Sequence, residues 1–166
     1  MRIGLVSDSH GEAQMLRRGV ELLCARGAEV IVHCGDIGSL ECLDVLAEAP
    51  VPSHAVAGNA DLRVDPGAER LAARASGKLD FHVASVELDL GDGVRLAATH
   101  GHDRDLLDEL IAGGRFAYVC HGHTHTPRNE RVGSVRVVNP GCLHRRTPTV
   151  ALLDTAADAV EHIGVD

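Results

Sequence analysis

Ile3-Gly4-Leu5-Val6-Ser7-Asp8-Ser9-His10 decides the fold: an apolar run breaks off into a polar tail carrying a carboxylate and an imidazole. The run reads as a short strand. Leu16, Val20 and Leu23 follow at helical spacing, and Val30 to His33 predicts a second strand leading into Gly35-Asp36. Leu43, Leu46 and Ala47 then predict a helix capped by Ser39, and Ala55 to Ala57 a third strand ending at Gly58-Asn59-Ala60-Asp61. Two β-α-β units in succession imply parallel strands joined by right-handed crossovers.

The character changes after residue 61. Residues 62–80 are charged and rich in alanine, which suggests a loop with one short helix. Phe81 to Leu90 predicts a strand, paired through the turn Gly91-Asp92-Gly93 with Val94 to Thr99. Leu107, Leu110 and Ile111 mark a helix capped by Asp103 and stopped at Gly113-Gly114, and Phe116 to Cys120 is a further strand. From Arg128 onward come three or four short strands, including Val135 to Val138 and Val150 to Leu153. A parallel half followed by a β-rich half predicts an α/β (α+β) fold, two sheets packed face to face with helices outside. No linker, repeat or low-complexity tract divides residues 1–166, so a single domain is expected.

Composition narrows the function. The chain has 16 basic and 24 acidic side chains, a formal charge of −8 and 2% aromatics. Nucleic-acid binding wants a basic field and stacking rings, so a dedicated DNA or RNA binder is not expected. No run approaches the ~20 apolar residues of a membrane span. The N-terminus meets Asp8 too soon for a signal-peptide core, and the five cysteines are odd in number and form no C-x-x-C pair. Reduced thiols and a cytoplasmic location are expected. The unusual count is histidine, 11 in 166 residues.

Those histidines gather where strands end. Asp8-Ser9-His10, Gly35-Asp36, Gly58-Asn59-Ala60-Asp61, Thr99-His100-Gly101-His102 and His121-Gly122-His123-Thr124-His125 each follow an apolar run. Carboxyl ends of strands line the ligand crevice of open α/β sheets, so five strands deliver Asp, His and Asn to one rim. Residues two apart in extended backbone point the same way, which pairs Asp8 with His10 and His123 with His125. Carboxylate, imidazole and amide together suit Mn, Fe, Co, Ni or Zn better than a thiolate knuckle or an all-oxygen calcium site. Singly, Asp8 would also serve as a helix cap and Asp36 or Asn59 as a turn former; the coincidence at five ordered strand ends argues against that reading.

The ordered set D-x-H, G-D, G-N-x-D, H-G-H and G-H-T-H resembles the calcineurin-like metallophosphoesterases. The short length, early D-x-H and late Asn139-Pro140-Gly141 are similar to the small prokaryotic YfcE-type phosphodiesterases. The resemblance covers nearly the whole chain and implies a four-layer α-β-β-α sandwich of two mixed sheets around two divalent metal ions, manganese first among the candidates. It places one ion on Asp8, His10, Asp36 and His125 and the other on Asp36, Asn59, His100 and His123. Asp36 has two oxygens and can bridge. The implied reaction is in-line attack on phosphorus by a hydroxide shared between the metals, with Asp36, Asn59, His100 and His102 as the catalytic set and His10 as a ligand rather than a base. The centre would be locally positive although the chain is acidic, because fields fade over ~10 Å.

Two departures from the family pattern matter. Larger relatives carry His after the Asn, where it can protonate the leaving group, and YfcE-type members typically carry Cys; this chain has Ala60. His102 is the nearby motif-borne candidate to replace it, with a supporting hydrogen-bond role as the alternative. In the loop Asn139-Pro140-Gly141-Cys142-Leu143-His144-Arg145-Arg146, relatives usually have Ser after the Gly; Asn139, Arg145 and Arg146 are the candidates for holding substrate phosphate. His33, His54, His82, His144 and His162 have no partner motif and read as ordinary, His121 as strand packing, Cys34 and Cys120 as apolar fillers, and Asp61 as a loop stabiliser. The expected partner is a small phosphate ester, not a membrane, with homo-oligomer formation left open. Phosphodiesterase is the leading reading; phosphomonoesterase or nucleotide hydrolase is second, and a protein-binding scaffold such as the retromer subunit of this fold is third. An intact ligand set separates enzyme from scaffold.

Overall fold

A computed structural model describes residues 1–63 and 78–166. The elements run β1 (Arg2–Val6), α1 (Ala13–Ala25), β2 (Val30–His33), α2 (Leu40–Ala47), β3 (Ser53–Val56), a one-turn α3 (Asn59–Leu62), β4 (Leu79–His82), β5 (Ser85–Asp89), β6 (Arg95–Thr99), α4 (Arg104–Ala112), β7 (Tyr118–Cys120), β8 (Arg128–Val132), β9 (Val135–Asn139), β10 (Thr149–Asp154) and β11 (Ala159–Gly164).

The strands form two mixed sheets. The first is ordered β11-β10-β1-β2-β3-β4 and the second β5-β6-β7-β9-β8. In the first, β1 to β4 are parallel and the chain's last two strands add antiparallel beside β1. In the second, β6, β7 and β9 are parallel, and β5 and β8 close the edges antiparallel.

Three apolar layers hold these sheets between helices, which gives the four-layer arrangement expected from the motifs. Val6 and Ile31 face α1 and α2, where Leu16, Val20, Leu23, Leu43 and Leu46 are buried. Ile3, Leu5, Val30 and Val32 point the other way and meet Leu96, Ala98, Cys120 and Val138 between the sheets. Ala97, Val119 and Val137 carry Leu107 and Leu110 of α4 on the far face. Gly4 fits this pattern: a Cβ there would lie 2.6 Å from Ile31 and 3.0 Å from Leu23, so glycine lets α1 press onto β1. The caps read from sequence are present, with Cys42 N donating to Ser39 Oγ and Leu106 N to Asp103 Oδ1.

One expectation is corrected. Phe81 to Leu90 is not one strand. Residues 79–82 pair parallel with β3 in the first sheet, and 85–89 pair antiparallel with β6 in the second. Phe81 packs on the helix-side core and Val86 on the core between sheets, so the chain changes layers at Val83-Ala84. Thr99 Oγ1 donates to the Ala84 carbonyl and pins that step. The loop and short helix expected over 62–80 fall mostly outside the described residues. No helix among the described residues is long and apolar enough to cross a membrane.

Candidate metal centre

The motifs stand at the carboxyl ends of β1, β2, β3, β6 and β7, and the structure brings all seven predicted ligands to one rim. Asp36 is the centre. Its Oδ2 lies 3.5 Å from His10 Nε2 and 3.4 Å from His100 Nε2. On the His10 side, His125 Nε2 lies 3.4 Å from His10 Nε2 and 3.1 Å from Asp8 Oδ1. On the other side, Asn59 Oδ1 lies 3.1 Å from His100 Nε2, and the His123 ring meets His100 edge-on at 5.1 Å between centroids. Asp8, His10 and His125 form one compact donor cluster and Asp8, Asp36 and His100 another.

Backbone conformation marks the same residues. Asp8, His10, Asp36, His123 and His125 all have φ between +44° and +68°. Non-glycine residues avoid this region, at a cost of about 1–3 kcal/mol each, and they persist there only when the surroundings impose it. Two glycines show what imposes it. A Cβ at Gly58 would fall 2.0 Å from Asp36 Oδ1, and one at Gly122 would fall 2.6 Å from Asp8 Oδ2. Loops from different strands are thus pressed against the two carboxylates.

Neighbouring groups fix the donors. Asp8 Oδ2 accepts from Ser7 Oγ at 2.5 Å and His123 N at 3.1 Å, and Asp36 Oδ1 accepts from Ala60 N at 2.8 Å. His100 Nδ1 donates to the Cys34 carbonyl at 2.8 Å, which fixes the ring and turns Nε2 toward Asp36. Asp61 accepts from Ile37 N, Gly38 N and Gly58 N, tying the second and third loops together as a loop stabiliser should.

His33 has a role that spacing did not reveal. It is fully buried, its Nδ1 accepts from Gly35 N at 3.2 Å, and its Nε2 lies 2.9 Å from Ser9 Oγ, which donates to Ile37 O. It therefore holds the first and second loops in one register. His144, which no motif marks, places its ring 5.0 Å from that of His10.

The remaining candidates separate. His102 lies beside the centre, 5.4 Å from His100 and 6.3 Å from His123 between rings, and its Nδ1 is buried without a partner. Asn139 is fully buried; it donates to Gly122 O and Thr124 Oγ1 and accepts from Gly141 N, so its amide organises the G-H-T-H loop rather than facing solvent. Arg145 donates to His125 Nδ1 through Nε at 3.2 Å and Nη2 at 3.1 Å. Arg146 is exposed and makes no side-chain hydrogen bond or ion pair among the described residues.

The donor set fits divalent cations. Among the described residues Asp8 Oδ1 is buried with no hydrogen-bond partner, although two imidazole nitrogens surround it, at 3.1 and 3.9 Å. A buried carboxylate oxygen in that condition calls for a cation. Burial raises the Asp8 carboxyl above its ordinary value, with Asp36 adding to the effect against the Ser7, His100 and His123 contacts. Burial also disfavours the Asp36 charge, but the His100 hydrogen bond and charge, the Ala60 N–H and His10 outweigh it and hold Asp36 at about 2. Burial depresses His10, His123 and His125, leaving neutral rings suited to ligation. His100 alone of the four is raised: burial opposes its charge, and Asp36 overcomes that.

With this geometry in hand, comparison with known proteins decides the family. Residues 1–158 match the calcineurin-like phosphoesterase superfamily domain. The chain belongs to that superfamily. Phosphodiesterase MJ0936 of Methanocaldococcus jannaschii is 32% identical over 158 residues, covering 93% of each chain. Phosphodiesterase YfcE of Escherichia coli K12 is 30% identical over 157 residues, covering 85% of this chain and 78% of that protein. A solved archaeal phosphodiesterase superposes with a TM-score of 0.83 at 29% identity, covering 99% of both chains. The protein is accordingly a metal-dependent phosphoesterase, and the two mixed sheets with their flanking helices are the fold of that superfamily.

Proposed function

We propose that this phosphoesterase hydrolyses phosphate diesters at a centre of two divalent ions, with manganese the first ion to try. One observation supports the reading: Asp36 Oδ2 faces His10 on one side at 3.5 Å and His100 on the other at 3.4 Å, so its carboxylate could be shared between two ions. Asp8, His10 and His125 would complete one ion's shell with Asp36, and Asn59, His100 and His123 the other's. Ions bound there supply Lewis acidity toward phosphoryl oxygens and lower the pKa of attacking water.

The chain's own groups do the rest. His100 Nδ1 and Asp61 hold the donors so that little reorganisation accompanies the reaction. Asp8 and Asp36 balance part of the cations' charge and leave a field that attracts a phosphate into an acidic protein. Ala60 has no proton to give the departing alkoxide. His102 stands beside the second ligand set with a buried nitrogen lacking a partner, and we assign it the hydrogen bond to the leaving oxygen. The diester preference follows the names of the relatives, and the five free thiols support a reducing, cytoplasmic setting.

Metal-depleted protein reconstituted with Mn, Ni, Co or Zn would be assayed on bis(p-nitrophenyl) phosphate and p-nitrophenyl phosphate. Metal-dependent turnover of the diester, lost in Asp36→Ala, is expected. Faster turnover of the monoester would favour a phosphomonoesterase. Background rates with every metal, unchanged in Asp36→Ala, would sink the enzymatic reading and leave a scaffold.

A further inference from the structure

The contact between Arg145 and His125 has a consequence for how the site loads. A guanidinium carries donors only, so His125 Nδ1 accepts from it, and in the neutral ring the proton then sits on Nε2. Nε2 is the atom turned toward Asp8 and His10, the one a cation needs. For Nε2 to bind an ion, the ring proton must move to Nδ1, with no change in the ring's charge. Nδ1–H would then oppose two guanidinium N–H groups, donor against donor, with a dication close behind. The contact and the bound ion exclude each other.

Arg145 has somewhere to go. It lines a cavity of about 350 Å³ that shares His125 as a wall with the metal centre and is faced by Thr124, Thr126, Thr147 and Thr149, with Pro127 and Cys142 completing the lining. No carboxylate pairs with Arg145 among the described residues, so turning away breaks no ion pair. Hydroxyls and a guanidinium with no carboxylate partner among the described residues, with no Phe, Tyr or Trp in the lining, suit an anionic, oxygen-rich group rather than a nucleobase.

We propose that Arg145 is a metal-released anion binder: it rests on His125 until an ion takes Nε2, then turns into the adjoining cavity to hold an anionic oxygen of the substrate. This rests on the reading of His125 as a ligand. The two roles have opposite signs. Before loading, Arg145 competes with the ion; after loading, it helps the anion. Metal and phosphate thus become linked through one side chain, beyond their direct attraction.

Calorimetry would test it in three proteins: wild type, Arg145→Met and Arg26→Met, the last removing the same charge at the C-terminal end of α1, where Arg26 pairs with Glu161. Mn²⁺ is titrated into metal-free protein, then inorganic phosphate into the Mn-loaded form. In Arg145→Met, one of the two Mn²⁺ ions should bind about threefold or more tighter and phosphate about tenfold weaker, the scale of one charge-assisted hydrogen bond. Arg26→Met should stay within about twofold of wild type on both counts, since it is exposed and solvent screens its charge. Weaker or unchanged Mn²⁺ binding in Arg145→Met, unchanged phosphate binding, or an equal effect of Arg26→Met would overturn the proposal. Wild-type protein taking up fewer than two Mn²⁺ ions would instead overturn the dinuclear reading beneath it.

Discussion

Gly58→Ala isolates the packing that sets the metal centre. Gly58 has φ −100° and ψ 176°, extended backbone that alanine adopts freely, so the substitution adds no backbone strain. The whole effect comes from one methyl group, placed 2.0 Å from Asp36 Oδ1, 2.2 Å from Asp36 N and 2.7 Å from Asp36 Cγ. Ordinary carbon contacts begin near 3.4 Å, so Asp36 or the Gly58 loop must retreat by more than an ångström. Asp36 is buried and held by Ala60 N at 2.8 Å, and a shift of that size costs it this bond and the bridging position. Overpacking of this kind destabilises by about 1–3 kcal/mol, and a misplacement of about 1 Å costs roughly 10²-fold in function. The assay is Mn²⁺ calorimetry with urea unfolding on the same samples. Gly58→Ala should lose at least about tenfold in Mn²⁺ affinity and about 10²-fold in metal-dependent turnover. Gly164→Ala, where the added Cβ meets nothing within 4 Å, controls for alanine itself and should match wild type. Two ions bound by Gly58→Ala at wild-type affinity would refute the argument that loop packing places Asp36.

Other outcomes follow from the same geometry. Burial holds His33 down to about 3 and His121 to about 4, against an ordinary 6.5. The unfolded chain therefore binds more protons than the folded one below pH 6.5, and stability present above that pH is lost as pH falls toward 4, at about 1.4 kcal/mol per pH unit per ring. Urea unfolding of metal-free protein should show this slope, and His33→Gln should make it shallower; an unchanged slope would contradict the assignment. Against burial, Asp36 raises the His100 pKa above its ordinary 6.5, so ion binding near pH 6 should expel its proton, read by calorimetry in buffers of different ionisation enthalpy. Buffer-independent heats would contradict it. With Ala60 unable to protonate a leaving group, aryl diesters should turn over faster than alkyl ones, and Ala60→His should narrow the gap by about tenfold or more. Equal rates for both, with chemistry rate-limiting, would show that the missing acid is immaterial.

The sequence exposed those parts of this protein that local chemistry dictates. Ile3 to Val6 and Val30 to His33 have no polar alternation because both faces are buried, which made them legible as parallel strands. Ser39 and Asp103 cap helices through their own side chains, and the seven donors sit at strand ends where topology must gather them. Long-range choices were hidden. Residues 79–82 and 85–89 are both strand-like, and nothing local says that Phe81 serves one sheet and Val86 the other. The His33 link to Ser9 and Gly35 and the approach of His144 to His10 join residues that the sequence does not mark as partners. Asn139 looked like a substrate group because it is polar and near a motif, yet its carboxamide is used on Gly122, Thr124 and Gly141. Polar type alone does not distinguish a group facing a ligand from one bracing the loop behind it.

Anomalous diffraction from crystals grown with saturating Mn²⁺ is the most direct examination of the account. It predicts two peaks on either side of Asp36, one against Asp8, His10 and His125 and the other against Asn59, His100 and His123. A lone peak, or a pair that does not share the Asp36 carboxylate, would contradict it.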